Sequence, residues 1–179
     1  MTRVRIVGGA WRSRMLNVPS TPGLRPTPDR VRETVFNWLG QTLDGWRCLD
    51  LFAGSGILGF EAASRGAKSV VLVERNARAH SQLQATADQL NASQVEVRRG
   101  NALEFARHTQ ETFDLVLLDP PYNKGWLARV EPFLERILAP DGWLYVESES
   151  PLDALGNWHT VRRGEAGQVR FHLMRGQAE

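Results

Sequence analysis

The chain is poor in cysteine, poor in lysine and free of long apolar runs, and these shortages exclude several classes of protein. Cys48 is the single cysteine among 179 residues, so no internal disulfide can form, as expected in a reducing cytosol. No apolar stretch approaches the roughly 20 residues that a membrane span requires, and the N-terminus lacks the apolar segment of a signal peptide. The four histidines are scattered and cannot build a zinc site with one cysteine. We therefore expect a cytoplasmic protein without a metal.

The length suits one domain that buries roughly 70% of the surface exposed by its unfolded chain. We expect a single domain over residues 1–179, in which an N-terminal extension (1–44) packs on a core formed by residues 45–179. We also expect a monomer. No internal repeat or low-complexity tract argues for another organisation.

The basic charge is concentrated at one end of the chain. The formal net charge is only +2, and nearly all the basic residues are arginine. Within the first 47 residues, arginines 3, 5, 12, 14, 25, 30, 32 and 47 face only three acidic residues, Asp29, Glu33 and Asp44. The planar guanidinium group suits phosphate groups and guanine edges. The excess fits a nucleic-acid partner, and a solvated arginine-rich face explains the same composition equally well.

The first 43 residues predict a small β-hairpin followed by a helix. Short alternating segments at 4–7 and 15–18 flank the turn signal Gly8-Gly9. Thr27 has the residue type of an N-cap, and Pro28 suits the first helical position. Apolar residues at helical spacing then predict a helix over residues 28–43.

Strands and helices alternate through the rest of the chain. Such alternation predicts a doubly wound, mostly parallel sheet of the α/β class, similar to the Rossmann fold. Two further segments at 158–163 and 168–174 predict an antiparallel C-terminal hairpin. The predicted strands of the parallel part are 47–52, 69–74, 95–99, 113–118 and 143–148, and the predicted helices are 57–65, 76–90, 102–107 and 126–138.

A glycine-rich turn follows the first of these strands and indicates a nucleotide-like ligand. Gly54, Gly56 and Gly59 match the pattern G-x-G-x-x-G, which lets a ligand approach the main chain closely. Glu74 lies about 20 residues further on, at the end of the next strand, where an acidic side chain binds ribose hydroxyls. A tight strand-to-helix turn without a ligand is the alternative interpretation of the glycines alone.

Asp50 favours S-adenosylmethionine over a dinucleotide as that ligand. A carboxylate facing the glycine turn repels a pyrophosphate but attracts the ammonium and sulfonium groups of S-adenosylmethionine. In this interpretation Phe52 and Ala53 form the floor of the site. Asn101 or Ala102, after the third strand, contacts the adenine, although Asn101 also suits a simple turn after Gly100.

The segment Asp119-Pro120-Pro121-Tyr122 closes the apolar strand 113–118. Ligands of open α/β sheets bind outside the carboxyl ends of strands, so this position is a candidate site. The Asp119 side chain and the Pro120 carbonyl are two acceptors for the hydrogens of a planar exocyclic amino group, and Tyr122 is able to stack on a base. The pattern predicts methyl transfer to an amino nitrogen.

These motifs together resemble one family of class I S-adenosylmethionine-dependent methyltransferases. Segments 5–12 (RIVGGAWR), 23–34 (GLRPTPDRVRET), 50–56 (DLFAGSG) and 119–122 (DPPY) are similar to those of the bacterial RsmD family, which methylates guanine N2 in 16S rRNA. The resemblance covers essentially the full length. It implies that 16S rRNA or an assembling small ribosomal subunit is the partner, that Arg12, Arg25, Arg30 and Arg32 face RNA or the cofactor cleft, and that Thr27 shapes the cofactor lid.

The resulting hypothesis is an enzyme that transfers methyl from S-adenosyl-L-methionine to the N2 amino group of a guanine in 16S rRNA. An amino methyltransferase for another RNA or DNA base fits the same motifs. An NAD-dependent oxidoreductase accounts for the glycines, but no acid or base for hydride transfer is evident. A non-catalytic RNA-binding assembly protein accounts for the arginines but gives Asp119 and its neighbours no purpose.

Overall fold

The computed structural model describes residues 2–18 and 26–176 and consists of an eight-stranded sheet with helices on both faces and a small hairpin before it. The hairpin strands are β1 (Thr2–Arg5) and β2 (Met15–Val18). The sheet contains β3 (Arg47–Asp50), β4 (Ser69–Glu74), β5 (Val95–Arg99), β6 (Phe113–Leu118), β7 (Leu138–Ser148), β8 (Ala154–Leu155), β9 (Trp158–Ala166) and β10 (Val169–Gly176). The helices are α1 (Asp29–Trp38), α2 (Ile57–Ser64), α3 (Ala77–Gln89), α4 (Ala102–His108) and α5 (Trp126–Ile137).

The strand order of the large sheet is β5-β4-β3-β6-β7-β10-β9-β8. Strands β3 to β7 are parallel, whereas β10 is antiparallel to β7 and forms a hairpin with β9. This arrangement confirms the predicted doubly wound α/β fold with an antiparallel C-terminal part. The chain order reverses between β3 and β6, so the crevice at this switch point, outside the carboxyl ends of the strands, is where a ligand is expected.

Two apolar layers hold the sheet between its helices. Along β6 the side chains alternate, because successive residues of a strand point to opposite faces. Leu115 and Leu117 join one layer with α1, α2 and the hairpin, whereas Val116 and Leu118 join the other layer with α5. The near-continuous apolar strands therefore follow from burial on both faces.

A buried ionic cluster ties the N-terminal segment to the sheet layer. Arg32 of α1 is fully buried and donates to Glu61 Oε1 of α2 at 2.9 Å, to the Arg5 carbonyl at 2.7 Å and to Asp29. Glu61 also accepts from the Arg65 Nε atom at 3.2 Å and from two backbone amides of the hairpin turn, at residues 7 and 8. We call Asp29, Arg32, Glu61 and Arg65 the arginine–glutamate cluster.

Helix α1 is shorter than the sequence predicts. It begins at Asp29, with Pro28 as the N-cap and no side-chain cap, so the assignment of Thr27 as N-cap and Pro28 as first helical residue is wrong by one position. It ends at Trp38 rather than residue 43, because Gly40 and Gln41 have left-handed φ values of 99° and 71°. Leu43 is buried, as its apolar pattern indicates, but it lies in the following loop.

Two strand assignments near the C-terminus also change. β7 begins at Leu138, directly after α5, rather than at residue 143, because Leu138 pairs with Phe113 across a register shift that accommodates the turn-like residues 139–142. The short edge strand β8 was not predicted. None of the helices in the described residues has the length and apolar character needed to cross a membrane.

Candidate active site

The glycine turn between β3 and α2 is built on two left-handed residues. Gly54 and Gly56 have φ values of 54° and 78°. A Cβ atom at position 56 would lie 2.4 Å from the Leu83 Cδ2 atom, and one at position 59 would lie 2.3 Å from the Leu72 Cδ2 atom. The turn needs its first two glycines for backbone conformation, and Gly56 and Gly59 allow close packing.

Glu74 anchors this turn from the neighbouring strand. Its Oε2 atom accepts from the Gly54 amide at 2.8 Å, and its Oε1 atom accepts from the Asn76 amide at 3.0 Å. The Ala53 amide donates to the carbonyl of Val73 at 3.0 Å. The structure therefore brings Ala53, Gly54 and Glu74 together, as the sequence predicts.

Asn101 caps helix α4 with its side chain. Its Oδ1 atom accepts from the Leu103 amide at 2.8 Å and from the Glu104 amide at 3.4 Å. The Asn101 side chain is therefore the N-cap of α4 rather than part of a simple turn, and its contact with the adenine stays a prediction. Ala102 is buried at the first position of α4, so both residues lie after β5, two strands from β3.

Asp50 and Asp119 lie close together at the carboxyl ends of adjacent strands. Asp50 is 2% exposed, and its Oδ1 atom accepts from the Phe52 amide at 3.3 Å. Burial, followed by the negative charge of Asp119, raises the pKa of Asp50 to about 8. Burial also raises the pKa of Asp119. A charged group is costly in such surroundings unless an opposite charge is present.

Glu147 joins this pair from β7, and the sequence analysis did not select it. Its side chain is 4% exposed, and the register of β6 against β7, with Leu118 opposite Val146, places it beside Asp119. The only sequence signal was an acidic residue at the end of an otherwise apolar strand, beside the strand that precedes Asp119. We call Asp50, Asp119 and Glu147 the carboxyl cluster.

The segment after Asp119 presents an aromatic side chain at the surface. Tyr122 is 38% exposed, and burial followed by the charge of Asp119 raises its pKa. The Asn123 amide, at a left-handed φ of 62°, donates to Glu149 Oε1 at 3.0 Å and ties this loop to the end of β7. Among the described residues, no hydrogen-bond donor reaches the Pro120 carbonyl.

A second aromatic pair borders the same loop. Phe52, after β3, packs edge-on against Trp126 at the start of α5, with ring centroids 5.5 Å apart. Trp126 is in turn covered by the guanidinium group of Arg129 at 4.2 Å. Phe52 is therefore an apolar wall between the glycine turn and the loop that follows Asp119.

The four arginines proposed to face RNA or the cofactor cleft have different surroundings. Arg30 is exposed near the start of α1. Arg12 is exposed but lines a groove at the C-terminal end of α2, away from the glycine turn at its other end. Arg25 lies outside the described residues. Arg32 is fully buried in the arginine–glutamate cluster, so the expectation that it contacts RNA is wrong.

Thr27 is also buried, just before α1. Its carbonyl accepts from the Arg32 Nε atom at 3.1 Å. This contact connects Thr27 to the arginine–glutamate cluster. A role of Thr27 in a cofactor lid stays a prediction.

Comparison with known proteins identifies the family. Residues 4–175 match the family described as conserved hypothetical protein 95. The ribosomal RNA small subunit methyltransferase D of Escherichia coli K12 is 42% identical over 182 residues, which cover 99% of this chain and 92% of that protein. The chain belongs to the RsmD family of methyltransferases.

Other members and solved structures agree with this assignment. The methyltransferase D of Haemophilus influenzae is 41% identical over 95% of this chain and 92% of its own. A solved structure described as a putative methyltransferase from Escherichia coli has a TM-score of 0.88 and 41% identity, covering 99% of this chain and all of the other. Membership of the RsmD family identifies this protein as a methyltransferase. The names of its relatives support rRNA methylation, and the family implies an S-adenosylmethionine-type cofactor.

Proposed function

We propose that this RsmD-family member transfers a methyl group from S-adenosyl-L-methionine to the exocyclic N2 amino group of a guanine in 16S rRNA. The observation that carries the proposal is the position of two acceptors, the Asp119 carboxyl group and the Pro120 carbonyl, beside a cluster of buried acids. The N2 position itself rests on the motif resemblance. An enzyme with this substrate works in the bacterial cytoplasm.

The carboxyl cluster fits a cationic ligand. Asp50, Asp119 and Glu147 each have a raised pKa, and among the described residues the charges that act on them are those of other acids. A positive charge placed beside them relieves this repulsion. When bound, S-adenosylmethionine supplies such a charge, and with it an activated methyl group. Asp50 would hold its cationic part, Glu74 the ribose, and residues 101 and 102 the adenine.

The residues around Asp119 supply orientation. One Asp119 oxygen and the Pro120 carbonyl accept the two hydrogens of the amino group, so the nitrogen is held with its lone pair directed away from both. The prolines restrict the loop, since each fixes its own φ. Tyr122 stacks on the base, a contact worth roughly 1–3 kcal/mol. Asp119 or water accepts the proton that the methylated nitrogen releases.

The affinity for S-adenosylmethionine is predicted to depend on pH through Asp50. Its pKa in the free protein is about 8, and a bound cation lowers that pKa, so binding releases a proton below this pH. The affinity therefore falls as the pH is lowered through about 8, by at most about tenfold per pH unit. Calorimetric titration of wild-type protein and an Asp50→Asn variant tests this. Equal pH dependence in both proteins would contradict the assignment of Asp50.

The exposed Arg30 is predicted to contact the RNA backbone. An Arg30→Ala variant should bind small-subunit rRNA more weakly and reduce the slope of log affinity against log salt concentration by about 1. Arg175 is a matched control, because its guanidinium group covers the ring of Trp143, in the middle of β7, at 4.0 Å. If Arg30→Ala and Arg175→Ala leave the same slope as the wild type, Arg30 lies outside the RNA interface.

Methyl transfer itself tests the proposed function directly. Small ribosomal subunits lacking this modification should accept labelled methyl, and the product nucleoside should be N2-methylguanosine. A label on another amino group would keep the enzyme class and refute the guanine N2 assignment.

A further inference from the structure

Glu147 is a buried acid that lies directly beside Asp119. Strands β6 and β7 are parallel, and Leu118 pairs with Val146. One residue further along both strands, Asp119 and Glu147 therefore lie side by side and point to the same face. Asp119 is at the open crevice, whereas Glu147 is 4% exposed and lies behind it.

The surroundings of Glu147 favour its neutral form. On its other side, the antiparallel β10 places Phe171 opposite it, and Phe171 stacks on Trp38 of α1 with a centroid distance of 5.5 Å. The titratable groups that act on Glu147 are Asp119, Asp50 and Tyr145, none of them basic. Burial, followed by the charge of Asp119, raises the pKa of Glu147 to about 10.

A hydrogen bond between the two neighbouring acids requires one proton. Two carboxylates without a proton cannot hydrogen-bond to each other, since both are acceptors only. Glu147 is the more deeply buried of the two, so a negative charge costs more there than on the partly exposed Asp119. The proton is therefore placed on Glu147, which donates, and Asp119 accepts as the ionised partner.

Tyr145 places a second polar group behind Glu147. It precedes Glu147 by two residues on β7, so both side chains point to the same face. Tyr145 is fully buried, and its hydroxyl has no hydrogen-bond partner of standard geometry among the described residues. A buried hydroxyl without a partner is costly, and the Glu147 carboxyl is the polar group beside it.

We propose that Glu147 is a positioning residue for methyl transfer, which as a neutral acid donates a hydrogen bond to Asp119 and fixes its carboxylate. One Asp119 oxygen is held by Glu147, and the other is directed to the substrate amino group. The Tyr145 hydroxyl orients the Glu147 carboxyl from behind. This inference rests on the proposed function, in which Asp119 accepts from that amino group.

A hydrogen bond from Glu147 favours the ionised form of Asp119. Burial raises the pKa of Asp119, and the hydrogen bond from Glu147 opposes that shift. A protonated Asp119 would present a donor to an amino group that is itself a donor. Glu147 therefore preserves the acceptor as well as its orientation.

Substitutions at position 147 distinguish two roles of Glu147, a neutral acid that donates a hydrogen bond and an ionised base. Glu147→Gln keeps a donor of the same shape, and its kcat should stay within about threefold of the wild type. Glu147→Leu removes the donor and should lower kcat about 100-fold, the cost of a misplaced reacting group, with the KM for S-adenosylmethionine little changed. Tyr145→Phe should lower kcat less than Glu147→Leu does. Glu165→Gln, an exposed acid on β9, is the control.

Two kinetic outcomes would overturn the inference. If Glu147→Gln is as impaired as Glu147→Leu, the residue acts as an ionised base. If Glu147→Leu retains wild-type kcat, Asp119 needs no positioning from it. Thermal unfolding of each variant shows whether a loss of kcat merely reflects a loss of folded protein.

Direct observation of the Glu147 proton provides a readout that is independent of turnover. The infrared band of a protonated carboxyl group should be present in a free Asp50→Asn variant at neutral pH, where Asp50 no longer contributes such a band, and lost when Glu147→Gln is added. An ionised Glu147 in an active enzyme refutes this inference. A protonated Glu147 in a protein that methylates no rRNA substrate refutes the proposed function instead.

Discussion

An Asp119→Ala variant is expected to lose methyl transfer by about 100-fold or more while it still binds S-adenosylmethionine. The side chain supplies one of two acceptors for the amino group, and misplacement of a reacting group costs about this factor. The cofactor contacts assigned to Asp50, Glu74 and residues 101 and 102 are unchanged by the substitution. Single-turnover transfer to rRNA and calorimetric binding of S-adenosylmethionine measure the two properties separately.

Asp114 provides the matched control for this experiment. It lies at the amino end of β6, the strand that Asp119 directly follows, and its Oδ2 atom accepts from the Arg47 amide at 2.8 Å. Asp114→Ala should retain transfer. Full activity in Asp119→Ala would remove Asp119 from the reaction, and equal loss in both variants would indicate damage to β6 rather than to the site.

The second large effect is expected at Arg32, on stability rather than chemistry. Arg32 and Glu61 are both fully buried and 2.9 Å apart. Removal of Arg32 takes away one of the two guanidinium partners of Glu61 and the donor to the Arg5 and Thr27 carbonyls, so Arg32→Met should lower the free energy of unfolding by about 3–5 kcal/mol. Chemical denaturation of the wild type and the variant gives this difference.

Two further variants make the Arg32 experiment specific. Arg30→Met, at an exposed position of the same helix, should change the free energy of unfolding by less than about 0.5 kcal/mol. The double variant Arg32→Met/Glu61→Met should be no more stable than Arg32→Met, because Glu61 also accepts from Arg65 and from the backbone amides of residues 7 and 8, which the second substitution leaves without this acceptor. If Arg32→Met and Arg30→Met have the same free energy of unfolding, the arginine–glutamate cluster does not hold the N-terminal segment on the core.

The parallel part of the sheet was predictable because its strands carry strong local signals. β4, β5 and β6 have the predicted bounds, since each is a short run bounded by turn residues. The predicted end of α1 and the predicted start of β7 were wrong. In both places the local sequence is compatible with a longer or a shorter element. Backbone conformation fixes the end of α1, and strand pairing fixes the start of β7.

A residue of the candidate site could be predicted where its position along its own strand was sufficient to place it at the site. Asp50, Glu74 and Asp119 each follow or end a strand, and the carboxyl ends of parallel strands meet at one edge. Glu147 required the register of β6 against β7, which a single sequence does not reveal. The family resemblance implied that Arg32 faces RNA or the cofactor cleft, whereas its buried partner Glu61 lies 29 residues away in the sequence.

The central claim is methyl transfer to guanine N2 of 16S rRNA. The most direct test is transfer of labelled methyl from S-adenosylmethionine to small ribosomal subunits, or their rRNA, from cells that lack this gene, followed by mass mapping of the modified nucleoside. The account predicts N2-methylguanosine at one site and no label when inosine, which lacks the 2-amino group, replaces that guanosine. Label retained on the inosine-containing RNA, or no label on any rRNA substrate despite measurable S-adenosylmethionine binding, would contradict it.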